Sequence, residues 1–297
     1  MEFDNKFIEE EIWFSAVDKE SLAKYDKEAA FALFQQRVRQ ARKNRGRTLR
    51  WMSYAAAIAI VAGMTFFSYK AGQTGVISNM KDIVVESPTG SRSKLTLPDG
   101  TTVWLNAGSR ISYSQDFGYD DRTVKLDGEA YFEVTHNKKR PFSVESKDLT
   151  VKVLGTKFNF KDYKSDNDAV VTLSSGRVSV DFNLKSDNST VYLSPNQRCT
   201  FNKETGKAHV ETVNSSHSTA WTNGTMVFVE ESLAGIIKTL ERNYNVRFEV
   251  VDKDLYNLSF YGDFSRNGQS LDDILNALSA TGKLKYKRKN NQVRLYK

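Results

Sequence analysis

Apolar positions follow three successive regimes along the chain. In the first fifty residues they recur at helical spacing: Phe31, Phe34 and Val38 share one face of AAFALFQQRVRQ, and neither proline nor glycine occurs before Gly46. Ile8, Ile12, Leu22 and Tyr25 offer further apolar positions, and Trp13 and Phe14 add bulk. The pattern predicts two or three short helices, too little chain to bury a sizeable core. Such helices either pack on one another or dock an aromatic face into a partner's groove. Residues 51–69 then carry no charge, which is about the length that crosses a hydrocarbon core as a helix.

From residue 82 to about 208 the period changes to two. KLTLPDGTTVWLN shows it clearly: Leu95 and Leu97 alternate with polar residues, Pro98-Asp99-Gly100 supplies a turn, and Val103 and Leu105 resume the alternation. TVKLDGEAYFEV, LTVKVLGTKFNF, AVVTLSSGRVSVDF and VYLSPNQRCTF each read as one strand, or as two about a turn. Regular short strands without helices predict an all-β domain, a sandwich or a β-solenoid-like coil.

The last segment mixes both periods. TMVFVEESLAGIIKTLERNYNVRFEV reads as a strand, a helix with the stripe Leu233, Ile236, Ile237, Leu240 and Tyr244, and a second strand. Ser270 and Asp273 form a capping-box pair at the start of another helix, whose stripe is Leu271, Ile274, Leu275 and Leu278. A hairpin turned at Asn290-Asn291 follows. SLAGIIKTL and SLDDILNAL share one pattern 38 residues apart, which predicts an α+β domain of duplicated βαβ units. The expected organisation is a cytoplasmic helical segment at 1–50, a transmembrane helix at 51–69, linkers at 70–84 and 209–223, a β domain at 85–208 and an α+β domain at 224–297.

Charge sharpens the middle of this picture. The net charge is +7, and residues 36–50 hold seven basic residues and no acidic one; setting those seven aside leaves 36 basic residues against 36 acidic. A basic run abutting an apolar one is a topology signal. Arg42, Lys43, Arg45, Arg47 and Arg50 flank one end of the span and only Lys70 the other, so the N-terminus is expected in the cytoplasm. Trp51, Tyr54, Phe66, Phe67 and Tyr69 lie toward the ends, where interfacial aromatics belong. DNA binding by the basic run is the weaker reading, since the run borders a membrane segment. Cys199 is the single cysteine, which excludes an intrachain disulfide, and its apolar neighbours mark it as a core residue.

Candidate chemistry adds little. Asp99 reads as a turn residue, Asp127 as the residue before a Gly128 turn, and Glu129 and Glu133 as solvent-facing strand positions. His136, His209 and His217 have no metal-ligand partner at useful spacing, and no nucleophile elbow or phosphate loop occurs. The chain is not expected to be an enzyme or to hold a cofactor or metal.

The runs SPTGSRSKLTLPDGTTVWLNAGSRISYSQDF, RTVKLDGEAYFEV, RPFSVES, VKVLGTKFNF, VTLSSGRVSV and LSPNQRCTF, in this order over residues 85–205, resemble the periplasmic region of FecR/PupR-type anti-sigma regulators. The terminal segment resembles the secretin and TonB short N-terminal domain. The resemblance implies a single-pass inner-membrane protein with four kinds of partner: the membrane, an extracytoplasmic-function sigma factor in the cytoplasm, the signalling domain of a TonB-dependent outer-membrane receptor in the periplasm, and periplasmic and intramembrane proteases. Direct nucleic-acid binding is not implied. Trp13, Phe14, Phe31 and Phe34 are the candidate sigma-factor contacts. A membrane-anchored periplasmic scaffold or glycan-binding module is the alternative from a different class.

Overall fold

The computed structural model describes residues 26–78, 82–119, 121–183, 190–265 and 268–297. By packing, the chain divides into two units, 1–78 and 79–297.

The described part of the first unit is one helix, α1 (Lys27–Ser78), 52 residues and hence about 78 Å long. The Asp26 carboxylate opens it by accepting from the backbone N–H groups of Glu28 and Ala29. Ile8, Ile12, Leu22 and Tyr25 lie outside the described residues; the helix expected through Phe31, Phe34 and Val38 is present and runs on without a break through the span and most of the stretch expected as a linker after residue 69. The physical reason is the absence of proline before Pro88. Each interior glycine costs only about 1 kcal/mol relative to alanine, which does not break a helix rich in Ala, Arg, Lys and Gln.

The second unit opens with thirteen strands. They are β1 (Ile83–Ser87), β2 (Ser93–Thr96), β3 (Thr102–Leu105), β4 (Ser109–Tyr113), β5 (Thr123–Glu133), β6 (Phe142–Glu145), β7 (Leu149–Val153), β8 (Lys157–Asp162), β9 (Asp168–Ser175), β10 (Val178–Phe182), β11 (Thr190–Leu193), β12 (Gln197–Asn202) and β13 (Lys207–Thr212). All join one sheet with two wings that share β5. One wing runs β1-β4-β5-β6-β7-β10-β11 and the other β2-β3-β5-β8-β9-β12-β13. From β6 onward the chain lays one antiparallel hairpin on one wing, crosses over, and lays the next on the other. The winding is therefore coil-like while the packing is that of two facing layers.

The strand β5 can serve both wings because it bends at Gly128. Its first half pairs with β4 and β6, and its second with β3 and β8. Gly128 has φ +120, and a Cβ there would lie 2.7 Å from the Ser109 Cα. The expected turn at Asp127-Gly128 is thus a bend inside an eleven-residue strand. One core fills the space between the wings. Phe182 of β10 meets Phe201 of β12 at 5.2 Å between ring centroids, and Phe132 stacks on Phe158 at 5.0 Å. Cys199 is buried in this core, and burial pushes its thiol up to about 11.

After β13 the stretch 209–223, expected as a linker, is ordered. It contains the end of β13, a short helix α2 (Ser215–Thr219) and a 3-10 turn (Ala220–Asn223) that buries Trp221. The remaining elements are β14 (Thr225–Ser232), α3 (Leu233–Tyr244), β15 (Arg247–Val250), β16 (Ser259–Ser265), α4 (Leu271–Ala280), β17 (Lys285–Lys289) and β18 (Gln292–Tyr296). A β-α-β order occurs twice, and the Ser270–Asp273 capping box is formed in full. The repeat is not carried into strand pairing. β14 pairs with β16, but β18 lies between β15 and β17, so β15 and β17 do not meet. The apolar stripes of α3 and α4 fill a second core with Phe260, Val293 and Leu295.

Candidate functional site

Two features stand out as candidate machinery: the apolar stretch of α1 and the junction between the β wings and the terminal α+β elements.

Within α1, Trp51–Lys70 is long and apolar enough to cross a membrane, and none of it is buried inside the protein. Thr65 turns its hydroxyl back onto the Val61 and Ala62 carbonyls, which satisfies it without a partner outside the helix. Ahead of this stretch, Phe31 and Phe34 are each 62% exposed and share one helix face with Val38. Trp13 and Phe14 lie outside the described residues. Arg42, Lys43, Arg45, Arg47 and Arg50 lie on the helical backbone directly before the apolar stretch.

The junction is built where the carboxyl end of α3 meets the turn between β1 and β2. The last carbonyls of a helix lack intrahelical donors. Here the Gly90 N–H, from the β domain, donates to the Arg242 carbonyl at 2.7 Å, and Thr89 Oγ1 donates to Asn245 Oδ1 at 3.1 Å. Arg92 adds a cation at the same helix end, where the macrodipole favours one. Its guanidinium donates to three acceptors: Nε to Asn106 Oδ1 (3.0 Å), Nη1 to the Trp221 carbonyl (2.7 Å) and Nη2 to Asn243 Oδ1 (2.8 Å).

Two of those bonds belong to a closed ring. Asn106 Nδ2 donates to Glu129 Oε2 at 2.8 Å, Asn159 Nδ2 donates to Glu129 Oε1 at 2.9 Å, and Trp221 Nε1 donates to Asn159 Oδ1 at 3.0 Å. The Trp221 carbonyl then accepts from Arg92, which closes the circuit. Asn106, Asn159 and Trp221 are buried, and the ring holds one cation and one anion, so the charges are compensated within it. Glu129, expected to face solvent, is a partner in this ring.

A second contact flanks the ring. Arg242 of α3 donates both terminal nitrogens to Asp166, at 2.8 and 3.2 Å, and its guanidinium lies 3.9 Å from the Tyr163 ring centroid. Lys161 and Lys238 also face Asp166, at 3.4 and 3.8 Å. Burial alone would raise the Asp166 carboxyl, but Lys161, Arg242 and Lys238 together hold it below the usual carboxylate value. Burial, with Glu129 nearby, pushes the Tyr163 phenol well up, so it stays a neutral donor to the Ala107 carbonyl.

Two further acids have structural partners. Asp99 occupies the expected turn and also pairs with the buried Arg122, whose Nη2 lies 2.6 Å from it. Glu133 pairs with Lys157 at 3.0 Å.

Sequence reasoning did not find the junction. The one available signal was Trp221, a large aromatic in the otherwise polar run NSSHSTAWTNG. Such a residue is more often a buried anchor than part of a linker.

Comparison with known proteins agrees with this architecture. Residues 83–179 match the family described as FecR protein, and residues 225–295 match the family described as FecR, C-terminal. Two crystal structures of a protein described as an anti-sigma factor from Parabacteroides distasonis ATCC 8503, at 1.65 and 2.50 Å, are similar in sequence and fold. The chain is 32% and 31% identical to them, with TM-scores of 0.67 and 0.68; the similarity covers 72% and 73% of this chain and 99% of each of theirs. No curated protein matches the sequence. The chain belongs to the FecR family of anti-sigma factors. Membership places it in a regulatory class of proteins rather than an enzymatic one, with a sigma factor as its implied partner.

Proposed function

We propose that this chain is a single-pass inner-membrane anti-sigma factor that relays a signal from an outer-membrane TonB-dependent receptor to an extracytoplasmic-function sigma factor. In this reading the basic flank holds the N-terminus in the cytoplasm. There Phe31 and Phe34, with Trp13 and Phe14, contact the sigma factor. The β wings and the α+β domain stand in the periplasm, where the receptor's signalling domain engages them. Proteolysis, ending inside the membrane, frees the N-terminal fragment.

The observation that carries the reading is the similarity of 72% of this chain to 99% of a solved protein described as an anti-sigma factor. An apolar helix following an exposed aromatic face is the arrangement such a relay needs. Deleting residues 1–40 and reading transcription from the sigma factor's promoters tests it. The proposed regulator loses control of transcription, whereas a periplasmic scaffold or glycan-binding module leaves transcription unchanged.

A further inference from the structure

The sheet β15-β18-β17 carries a concentration of positive charge that the fold pairs only in part: Arg288, Arg294 and Lys297 meet Asp272, Glu249 and Asp254, whereas Lys285, Lys287 and Lys289 meet no carboxylate among the described residues. Residues 283–297 contain seven basic residues and no acidic one, a second basic run besides that at 36–50. Register places Lys285, Lys287 and Lys289 of β17 opposite Tyr296, Arg294 and Gln292 of β18. The alternate residues Val293 and Leu295 are buried, so the lysine row and Arg294 share the solvent face, together with Arg247 and Glu249 of β15. Glu249 is the one carboxylate on that face among the described residues, and both of its oxygens accept from Arg294.

Two details go beyond an ordinary solvated surface. Lys287 stands directly across from Arg294, whose charge Glu249 already meets, so the lysine's own charge is left without a carboxylate among the described residues. β17 is also an edge strand, with β18 on one side only, so its outward N–H and C=O groups have no ladder partner among the described residues. Edge lysines repel apolar or basic strands. The same row selects for a strand of opposite charge, which would neutralise it and extend the sheet.

We infer that the β17 edge is a docking site for an extended acidic segment of a partner protein, added as a fourth strand. This rests on the reading of the terminal domain as partner-facing and names the chemistry of what it takes. An anionic lipid surface also attracts lysines, but it does not use an open backbone edge.

Full-length chain in zwitterionic nanodiscs, probed with a fluorescent peptide of alternating glutamate and valine, tests the inference. The acidic peptide is expected to bind, the matching lysine-valine peptide not to bind, and the acidic peptide with its alternate amides N-methylated to lose binding. K285E/K287E/K289E is expected to weaken the acidic peptide by about tenfold or more, the scale on which docking charges act. K285R/K287R/K289R retains binding and shows that the loss is one of charge. Equal binding by the N-methylated peptide, indifference to charge reversal, or binding of phosphatidylglycerol vesicles alone would overturn it. Sigma-factor binding by the charge-reversed chain stays unchanged, so failure at this edge is distinguishable from failure of the anti-sigma reading.

Discussion

Arg242, near the end of α3, grips Asp166 of the β domain with both terminal nitrogens while two lysines face the same carboxylate. One anion therefore serves three cations, and the two partners are not equally replaceable. D166A leaves three cations facing a nearly buried gap and is expected to cost about 3 kcal/mol, whereas R242A leaves Asp166 with two lysines and costs about half that. Urea denaturation of the two variants checks the order.

The same carboxylate gives the junction a defined acid limit. Its folded pKa lies below the unfolded value, so its contribution is complete above about pH 4 and is lost as pH falls through the lowered folded value. Stability measured against pH in the parent chain is expected to show this loss below about pH 4, and D166N is expected to lack that part of the slope.

Arg92 serves three acceptors on three different segments through one planar group. A lysine carries the same charge but cannot present that fork. R92K is accordingly expected to lose most of what R92A loses, about 2 kcal/mol, because buried acceptors in the ring are left unpaired. Comparing the two thermal midpoints decides whether charge or geometry matters here.

Gly128 sets the bend that lets one strand belong to both wings. G128A adds a Cβ against the Ser109 backbone and forces an alanine to positive φ, so it is expected to cost about 3 kcal/mol or more. Replacing Gly118, which also has positive φ but has nothing near its would-be Cβ, is expected to cost only about 1 kcal/mol. Equal losses at the two sites would show that steric closeness to Ser109 is not what matters.

How much of this is legible in the sequence depends on range. The Pro98-Asp99-Gly100 turn, the α3 and α4 stripes and the Ser270 capping box are written within a few residues, and the structure contains them. The ring through Arg92, Asn106, Glu129, Asn159 and Trp221 joins positions up to 129 residues apart, and no local pattern marks which amides will meet. Asp127-Gly128 reads as a turn in the sequence because Asp-Gly usually is one; only the pairing of β5 with both wings shows it to be a bend. Apolar spacing marks the Phe31, Phe34 and Val38 face of α1 but not how far the helix runs, because continuity depends on the absence of breakers.

The anti-sigma reading is tested most directly at the first unit. Phe31 and Phe34 are exposed, so F31A/F34A is expected to change stability by no more than about 0.5 kcal/mol. If they anchor a partner, the same pair weakens binding by about tenfold or more. Full-length chain in nanodiscs, titrated with each extracytoplasmic-function sigma factor of the same cell, is the decisive measurement. The account predicts that one sigma factor binds and that F31A/F34A releases it without unfolding the protein. Binding to none of them would contradict it.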